Sequence, residues 1–344
     1  MPFSYNLIFL YSRIIDTLCT KPHQFDKGLR KDSSKQIFVS SMYIWNKLKQ
    51  LLMEKCGKYR INDAHCHYGT NSIFMTMALR PTTRISNNIQ RLQENMDRNN
   101  VENCVLFAQP EPSNTFGHFW KGLFYHLKNK SPDPDEPYSG WKIDYTRAND
   151  EIWAIDDDRV VFIPFIAAND SAKNIAKYED ENENPPAGIK YYGIYGNMPD
   201  DSILSYMNEN CMNLLLHIPM ACSKDPCRLL DKVEQYPDIN FQLAHLGDGV
   251  PEIIKAVDDL DNLYLDTAMS SHEAYRYMYK NHGTTTEDII TSQSEGKVLF
   301  GSDEPWGNLQ EQLQMIVKLQ EDGNFSTKDV DRVLYKNAAH LWDF

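Results

Sequence analysis

Between Tyr59 and Ser302 the chain returns eight times to a short segment rich in β-branched, aromatic or aliphatic residues. These segments are Tyr59–His65, Cys104–Ala108, Val160–Ile166, Gly188–Tyr192, Asn213–His217, Phe241–His245, Leu263–Thr267 and Lys297–Ser302. Longer amphipathic stretches fill the gaps: Asn87–Asn99, Asp144–Asp156, Ser171–Asp180, Ser202–Glu209, Pro226–Gln235, Val250–Asp258, His272–Met278 and Leu309–Gln320. Strand-like and helix-like segments in strict alternation predict β/α units on a parallel sheet. Repeated eight times from Ile61 to Phe344, they predict an α/β fold of the (β/α)8 TIM barrel class, which takes about 250 residues plus insertions. An open doubly wound sheet is the competitor, but no glycine-rich turn follows the first strand.

Two stretches fall outside the repeat. Residues 1–58 carry helical patterns at Leu7–Leu18 and Phe38–Met53, predicting an N-terminal helical extension ahead of a barrel domain at 59–344. Leu7–Leu18 contains Arg13 and Asp16 and shows no small-residue cleavage site, so it reads as structure and not as a targeting signal. The turn-rich segment 110–140 follows the second strand, where a barrel places active-site loops. Ser326–Asp329 reads as a capping box that opens a last helix running to about Trp342.

Composition excludes several classes of partner. Lys and Arg number 35 against 48 Asp and Glu, a formal charge of −13, which disfavours nucleic acid and an anionic membrane surface. No uncharged apolar run is long enough to cross a bilayer. Seven scattered cysteines look like reduced thiols, which makes the cytoplasm the expected compartment. The expected partner is a small-molecule substrate, with a homodimer left open.

The chemistry lies in where polar residues meet strand ends, because barrel catalytic groups project from there. His65 and His67 close the first strand, and residues two apart on a strand point to one side, so both imidazoles can grip one metal. His217 ends the fifth strand, His245 ends the sixth, and Asp303 follows the eighth. His245 reads either as a metal ligand or as a neutral group that polarises substrate. A carboxylate directly after the apolar run VLFGS, as Asp303 is, must be paired, hydrogen-bonded or metal-bound.

INDAHCHYG, GIKYY, LLLHIP, FQLAHLG and VLFGSDEPW, in that order and followed by KNAAHLW, resemble the amidohydrolase superfamily. The resemblance is to its amidohydrolase-related branch, which contains aminocarboxymuconate-semialdehyde decarboxylase and related lactonases and hydrolases. It implies that His65, His67, His217 and Asp303 hold a divalent metal, zinc for preference, with His245 beside it. It also draws attention to Lys190, which in binuclear relatives is carbamylated and bridges two metals. One ion is the favoured reading, with Lys190 salt-bridged or facing the substrate.

The resemblance implies a metal-dependent hydrolase acting on an amide, lactone or ester through an activated water, with Asp303 and His245 as catalytic residues. The alternative is a non-hydrolytic decarboxylase of an unsaturated or aromatic carboxylic acid, which needs a cation for the carboxylate; Arg80, Arg84 and Lys190 are candidates. A scaffold that has lost its chemistry would bind no metal. Tyr68, Gln109, Tyr191, Tyr192, Met220 and Trp306 adjoin strand ends and are expected to line the pocket, with Tyr68, Tyr191, Lys190 and Trp306 touching substrate. Cys66, between the two histidines, should point away from the metal.

Overall fold

The computed structural model describes residues 59–70, 86–87, 89–108, 146–166, 170–180, 182, 184–193, 198–217, 226–293 and 296–344. The expected extension at 1–58, the insertion at 110–140, and Arg80, Arg84, Gln109 and Met220 lie outside the described residues.

The fold is α/β and built on parallel strands. In one sheet β1 (Ile61–Thr70) pairs in parallel with β3 (Val101–Ala108), and β3 pairs in parallel with β4 (Val160–Phe162). A two-residue β2 (Ser86–Asn87) runs antiparallel to the end of β1. The second sheet is parallel throughout, in the order β10 (Val298–Leu299), β9 (Leu263–Asp266), β8 (Asn240–Leu243), β7 (Asn213–His217), β6 (Gly188–Tyr192), β5 (Phe165–Ile166).

Hydrogen bonds join the two sheets at both seams. The third expected strand is split into β4 and β5 around Pro164, which has no N–H to give to a ladder. Across the break Ile163 N donates to Leu106 O at 3.0 Å, and Pro164 O accepts from Lys190 N at 2.9 Å. At the other seam Ala64 N donates to Phe300 O, Asp303 N to His65 O, and His67 N to Glu304 O, each at 2.8 Å. The last strand therefore meets the first, which brings sequence-distant residues together.

Helices follow the strands, and their ends obey local rules. α1 (Ile89–Asn99), α2 (Thr146–Trp153) and α3 (Ala172–Ala176) are followed by α4 (Asp201–Glu209), where Asp200 Oδ1 caps Ser202 N at 2.9 Å. α5 (Pro226–Gln235) and α6 (Pro251–Asp259) both begin at a proline, whose missing N–H costs nothing in the first turn. α7 (Glu273–Asn281) is followed by α8 (Thr286–Ser292), which the sequence pattern did not predict. α9 (Leu309–Glu321) precedes α10 (Thr327–Asp331), which opens on the expected capping box: Ser326 N donates to Asp329 Oδ2 and Asp329 N to Ser326 Oγ. The chain then passes through one π-type turn, Arg332–Lys336, into α11 (Asn337–Trp342). No helix among the described residues is long and apolar enough to cross a membrane.

The C-terminal segment is tied to the strands by polar side chains. Asn337 Nδ2 donates to Val298 O at 2.7 Å, Asn213 Nδ2 to Leu341 O at 2.8 Å, and Trp342 Nε1 to Gln242 Oε1 at 2.8 Å. Gly188 is required at this junction. A Cβ there would lie 2.3 Å from Asn213 O and 2.9 Å from the Trp342 ring, and neither buried neighbour can yield. Gly188→Ala is expected to cost about 3 kcal/mol of stability by overpacking, read as a lower denaturation midpoint in urea.

Candidate metal centre

His65 and His67 lie within β1, which runs five residues further than the sequence pattern suggested. Strand alternation turns both rings to one side, and Phe107 of β3 packs edge-on against them with centroids at 5.1 and 4.3 Å. The seam with β1 delivers Asp303, whose Oδ1 lies 3.1 Å from both His65 Nε2 and His67 Nε2. Asp63 anchors that seam, accepting from Ser302 N at 2.9 Å and Ser302 Oγ at 2.5 Å.

The hydrogen bonds fix which nitrogen carries each proton. A carbonyl oxygen can only accept, so His67 Nδ1 donates to Ala108 O at 3.4 Å, and His245 Nδ1 donates to Ala268 O at 2.9 Å. His65 Nδ1 donates to the Asp266 carboxylate at 2.8 Å. In neutral rings Nε2 is then a lone pair. His65 Nε2, His67 Nε2 and an Asp303 oxygen converge within 4.8 Å, all buried, and His65 Nε2 makes no hydrogen bond. Two imidazole nitrogens and a carboxylate oxygen that converge this closely, all buried, suit a divalent cation bound by all three. The donor set fits such an ion, and Asp266 behind His65 supplies the backing carboxylate that metal-binding histidines commonly have.

Electrostatics follow from burial and proximity. Burial pushes His67 down to about 4, against the pull of Asp303. Burial and Lys190 also depress His65, but Asp266 and Asp303 together outweigh them and raise it. Burial alone would raise Asp303, yet His65, His67 and His245 hold it well below the usual carboxylate range. Lys190 is lowered by burial to about 7; its Nζ has no hydrogen-bond partner and stands 4.8 Å from the Phe107 ring centroid.

His217, expected among the metal ligands, is not in the group of three. Its Nδ1 lies 3.3 Å from His245 Nε2, which has a lone pair because the His245 proton is committed to Ala268; His217 Nδ1 is therefore the donor. Burial, His245 and Lys190 keep His217 well below its ordinary pKa. His245 is depressed mainly by burial.

His245 was expected to end a strand. Instead β8 stops at Leu243, and His245, Leu246, Gly247, Asp248 and Gly249 all have φ between 52° and 72°. For His245, Leu246 and Asp248 this left-handed conformation costs roughly 1–2 kcal/mol each, and only firm surroundings hold it. Met269 and Asp303, following β9 and β10, share it with φ of 55° and 58°. Strain gathered at the ends of three neighbouring strands marks a functional face.

The expected substrate contacts divide. Lys190 lies on the buried side of β6 with the histidines, so alternation sends Tyr191 to the opposite side, where its hydroxyl donates to Met198 O at 3.2 Å. Both were expected to touch substrate; on this strand alternation places them on opposite faces. Tyr68 is likewise on the other face of β1 from His67, half-buried toward Ile89. Trp306 is half-buried in the turn after Asp303. Tyr192, by contrast, packs its ring 4.7 Å from that of His217. Cys66 Sγ faces the carbonyls of His67 and Glu304, both at 3.9 Å.

Sequence reasoning missed Asp266, Phe107 and Tyr275. Asp266 is wholly buried and accepts from His65, from Gln242 Nε2 at 2.7 Å, and from the backbone N–H groups of His245 and Ala268 at 3.0 Å. Its signal was present, a carboxylate closing the apolar strand LYLD, the rule that singled out Asp303. Tyr275 packs on His245 with centroids 4.7 Å apart and planes at 32°.

Comparison with known proteins agrees with this architecture. The amidohydrolase family profile matches residues 144–344, more than half of the chain, spanning Lys190, His217, His245, Asp266 and Asp303. No curated protein matches the sequence. Among solved structures, an uncharacterized TIM-barrel protein from Bordetella bronchiseptica is similar in fold, with a TM-score of 0.54 and 14% identity over 82% of this chain and 98% of that one. A putative 2-pyrone-4,6-dicarboxylic acid hydrolase from Pseudomonas putida gives 0.52 and 12%, over 83% and 97%. The 5-carboxyvanillate decarboxylase LigW from Sphingomonas paucimobilis gives 0.51 and 13%, over 83% and 100%. With a buried His-His-Asp centre and a profile match across most of its strands, the chain belongs to the amidohydrolase family of metal-dependent enzymes.

Proposed function

We propose that residues 59–344 form a (β/α)8-barrel hydrolase that cleaves an amide, lactone or ester bond in a small molecule, using one zinc ion. The observation that carries this reading is the state of Asp303. One carboxylate oxygen, Oδ1, lies 3.1 Å from both imidazoles, which leaves Oδ2 as the oxygen to meet a water. The carboxyl is ionised, its pKa held down by His65, His67 and His245, so its oxygens carry lone pairs and no proton of their own.

His65, His67 and Asp303 would hold the ion, with the Nε2 lone pair of His217 proposed as a fourth ligand. When bound, a zinc ion acts as a Lewis acid and lowers the pKa of water to about 7. Asp303 Oδ2 takes the proton from the attacking water and returns it to the leaving nitrogen or oxygen. Neutral His217 offers a lone pair and no charge, and Tyr192 and Tyr275 supply aromatic walls. Imidazole nitrogens with one carboxylate suit zinc among the common divalent ions.

The second reading, decarboxylation, is supported by Lys190, a buried amine without a hydrogen-bond partner that a substrate carboxylate would pair with and hold protonated. Metal-loaded protein given a panel of lactones, amides and unsaturated carboxylic acids in heavy-oxygen water separates the two. Heavy oxygen in the product supports hydrolysis. Release of carbon dioxide, with solvent deuterium arriving on carbon, replaces it with the lyase.

One ion, not two, is the preferred reading because His245, with Nδ1 bonded to Ala268 O and Nε2 to His217 Nδ1, has no nitrogen left for a second ion. Lys190→Ala is expected to leave the metal content at about one ion per chain, measured by elemental analysis of protein purified without chelator. A fall from two ions to one would establish a carbamate bridge instead.

A further inference from the structure

We infer that helix α7 is a positioning element for the site, in which Tyr279 and Tyr275 lock the backbone and ring of His245 so that it can orient His217. The inference rests on the histidine cluster and holds for hydrolysis and decarboxylation alike.

Tyr275 and Tyr279 are four residues apart on α7 and so share one face, while Tyr277 between them is 69% exposed on the other. His272 caps the helix by accepting from Ala274 N at 3.3 Å. Tyr279 is wholly buried, and its hydroxyl donates to the His245 carbonyl at 2.9 Å. The same ring is the seat of the left-handed turn, since a Cβ on Gly249 would come within 2.5 Å of Tyr279 Cδ1. Tyr279 thus holds the backbone of the segment that carries His245.

Tyr275 acts one turn earlier and on the side chain. Its ring packs against the imidazole with centroids 4.7 Å apart and planes tilted by 32°, contact that restrains rotation about the Cβ–Cγ bond of His245. Rotation matters because the bonds form a directed chain: His245 Nδ1–H to Ala268 O at 2.9 Å, and His217 Nδ1–H to His245 Nε2 at 3.3 Å. A half-turn of the His245 ring removes both its anchor and the acceptor that fixes the His217 proton on Nδ1. The two tyrosines make no ring or hydrogen-bond contact with His65, His67 or Asp303, so they act through His245 and are positioning residues.

The test uses full-length, zinc-loaded protein labelled with nitrogen-15 at histidine, with side-chain tautomers read from long-range nitrogen–proton correlations and His245 assigned from its missing signal in His245→Asn. Wild type should show His245 as a single Nδ1–H tautomer, with its ring protons shifted upfield by the overlying tyrosine. Tyr275→Phe keeps the ring and should keep both signatures. Tyr275→Leu should lose the upfield shift and turn His245 into a mixture of tautomers, and Tyr279→Phe should also produce the mixture, while His65 stays pinned by Asp266. An Nε2–H tautomer at His245 in wild type would overturn the inference without recourse to any variant. So would a folded Tyr275→Leu in which the His245 signals are unchanged.

Discussion

Asp303→Asn is expected to reduce turnover by about a thousandfold or more while leaving the chain folded, as befits the loss of a general base. The backbone of Asp303 does the structural work at this position: its N–H donates to His65 O at 2.8 Å, and its carbonyl accepts from Gly307 N at 2.6 Å. Both bonds survive the substitution. An amide in place of the carboxylate can also donate to the Nε2 lone pairs of His65 and His67, so the metal-free protein keeps polar contacts at this position. The same change removes the anionic ligand, and bound metal should fall with activity. Paired measurements of turnover and metal content, with circular dichroism as the control for folding, check the result. Full activity in this variant would exclude both the hydrolase and the decarboxylase mechanisms.

Asp266→Asn should show the opposite balance, with structure and metal affinity both suffering. Asp266 is an acceptor for four donors at once: His65 Nδ1, Gln242 Nε2, and the N–H groups of His245 and Ala268. Only a carboxylate has acceptor sites on both oxygens; an amide nitrogen would face one pair of donors as a fifth donor. The cost of that buried conflict is about 3 kcal/mol of stability. His65, without its anionic partner, loses both ring orientation and basicity, and metal affinity should drop by roughly 10- to 100-fold. Competition with a chelator of known affinity measures this directly. Wild-type affinity in the variant would show that the His65–Asp266 bond has no part in holding the ion.

The strand pattern and the strand-end rule were legible in the sequence because both follow from alternation, which a single chain displays locally. His65, His67 and Asp303 came from that rule, and the structure brings them within reach of one ion. The same rule sets Tyr191 and Tyr68 on the opposite faces from Lys190 and His67, since neighbours on a strand face away from each other. His245 was correctly noticed and wrongly placed: nothing in FQLAHLGDG announces five consecutive left-handed residues, a conformation sustained by the distant Tyr279. Tyr275 was invisible for a related reason. On α7 it has the spacing of any core residue, and only tertiary packing reveals that the surface it covers is an imidazole.

The seam between β1 and the segment after β10 sets the order in which this protein can be completed. Asp63 and Ser302, which lock it, are 239 residues apart. During synthesis at about 5–20 residues per second, roughly 12 to 48 seconds separate the emergence of the two sides. Throughout that interval His65 and His67 wait as an open bidentate imidazole pair, able to capture an ion only loosely. Asp303 follows the last strand, so a nascent chain that stops just short of it has all its parallel strands but lacks the one carboxylate of the buried group. Tight metal retention would therefore report that translation had reached the last strand and that the ring had closed.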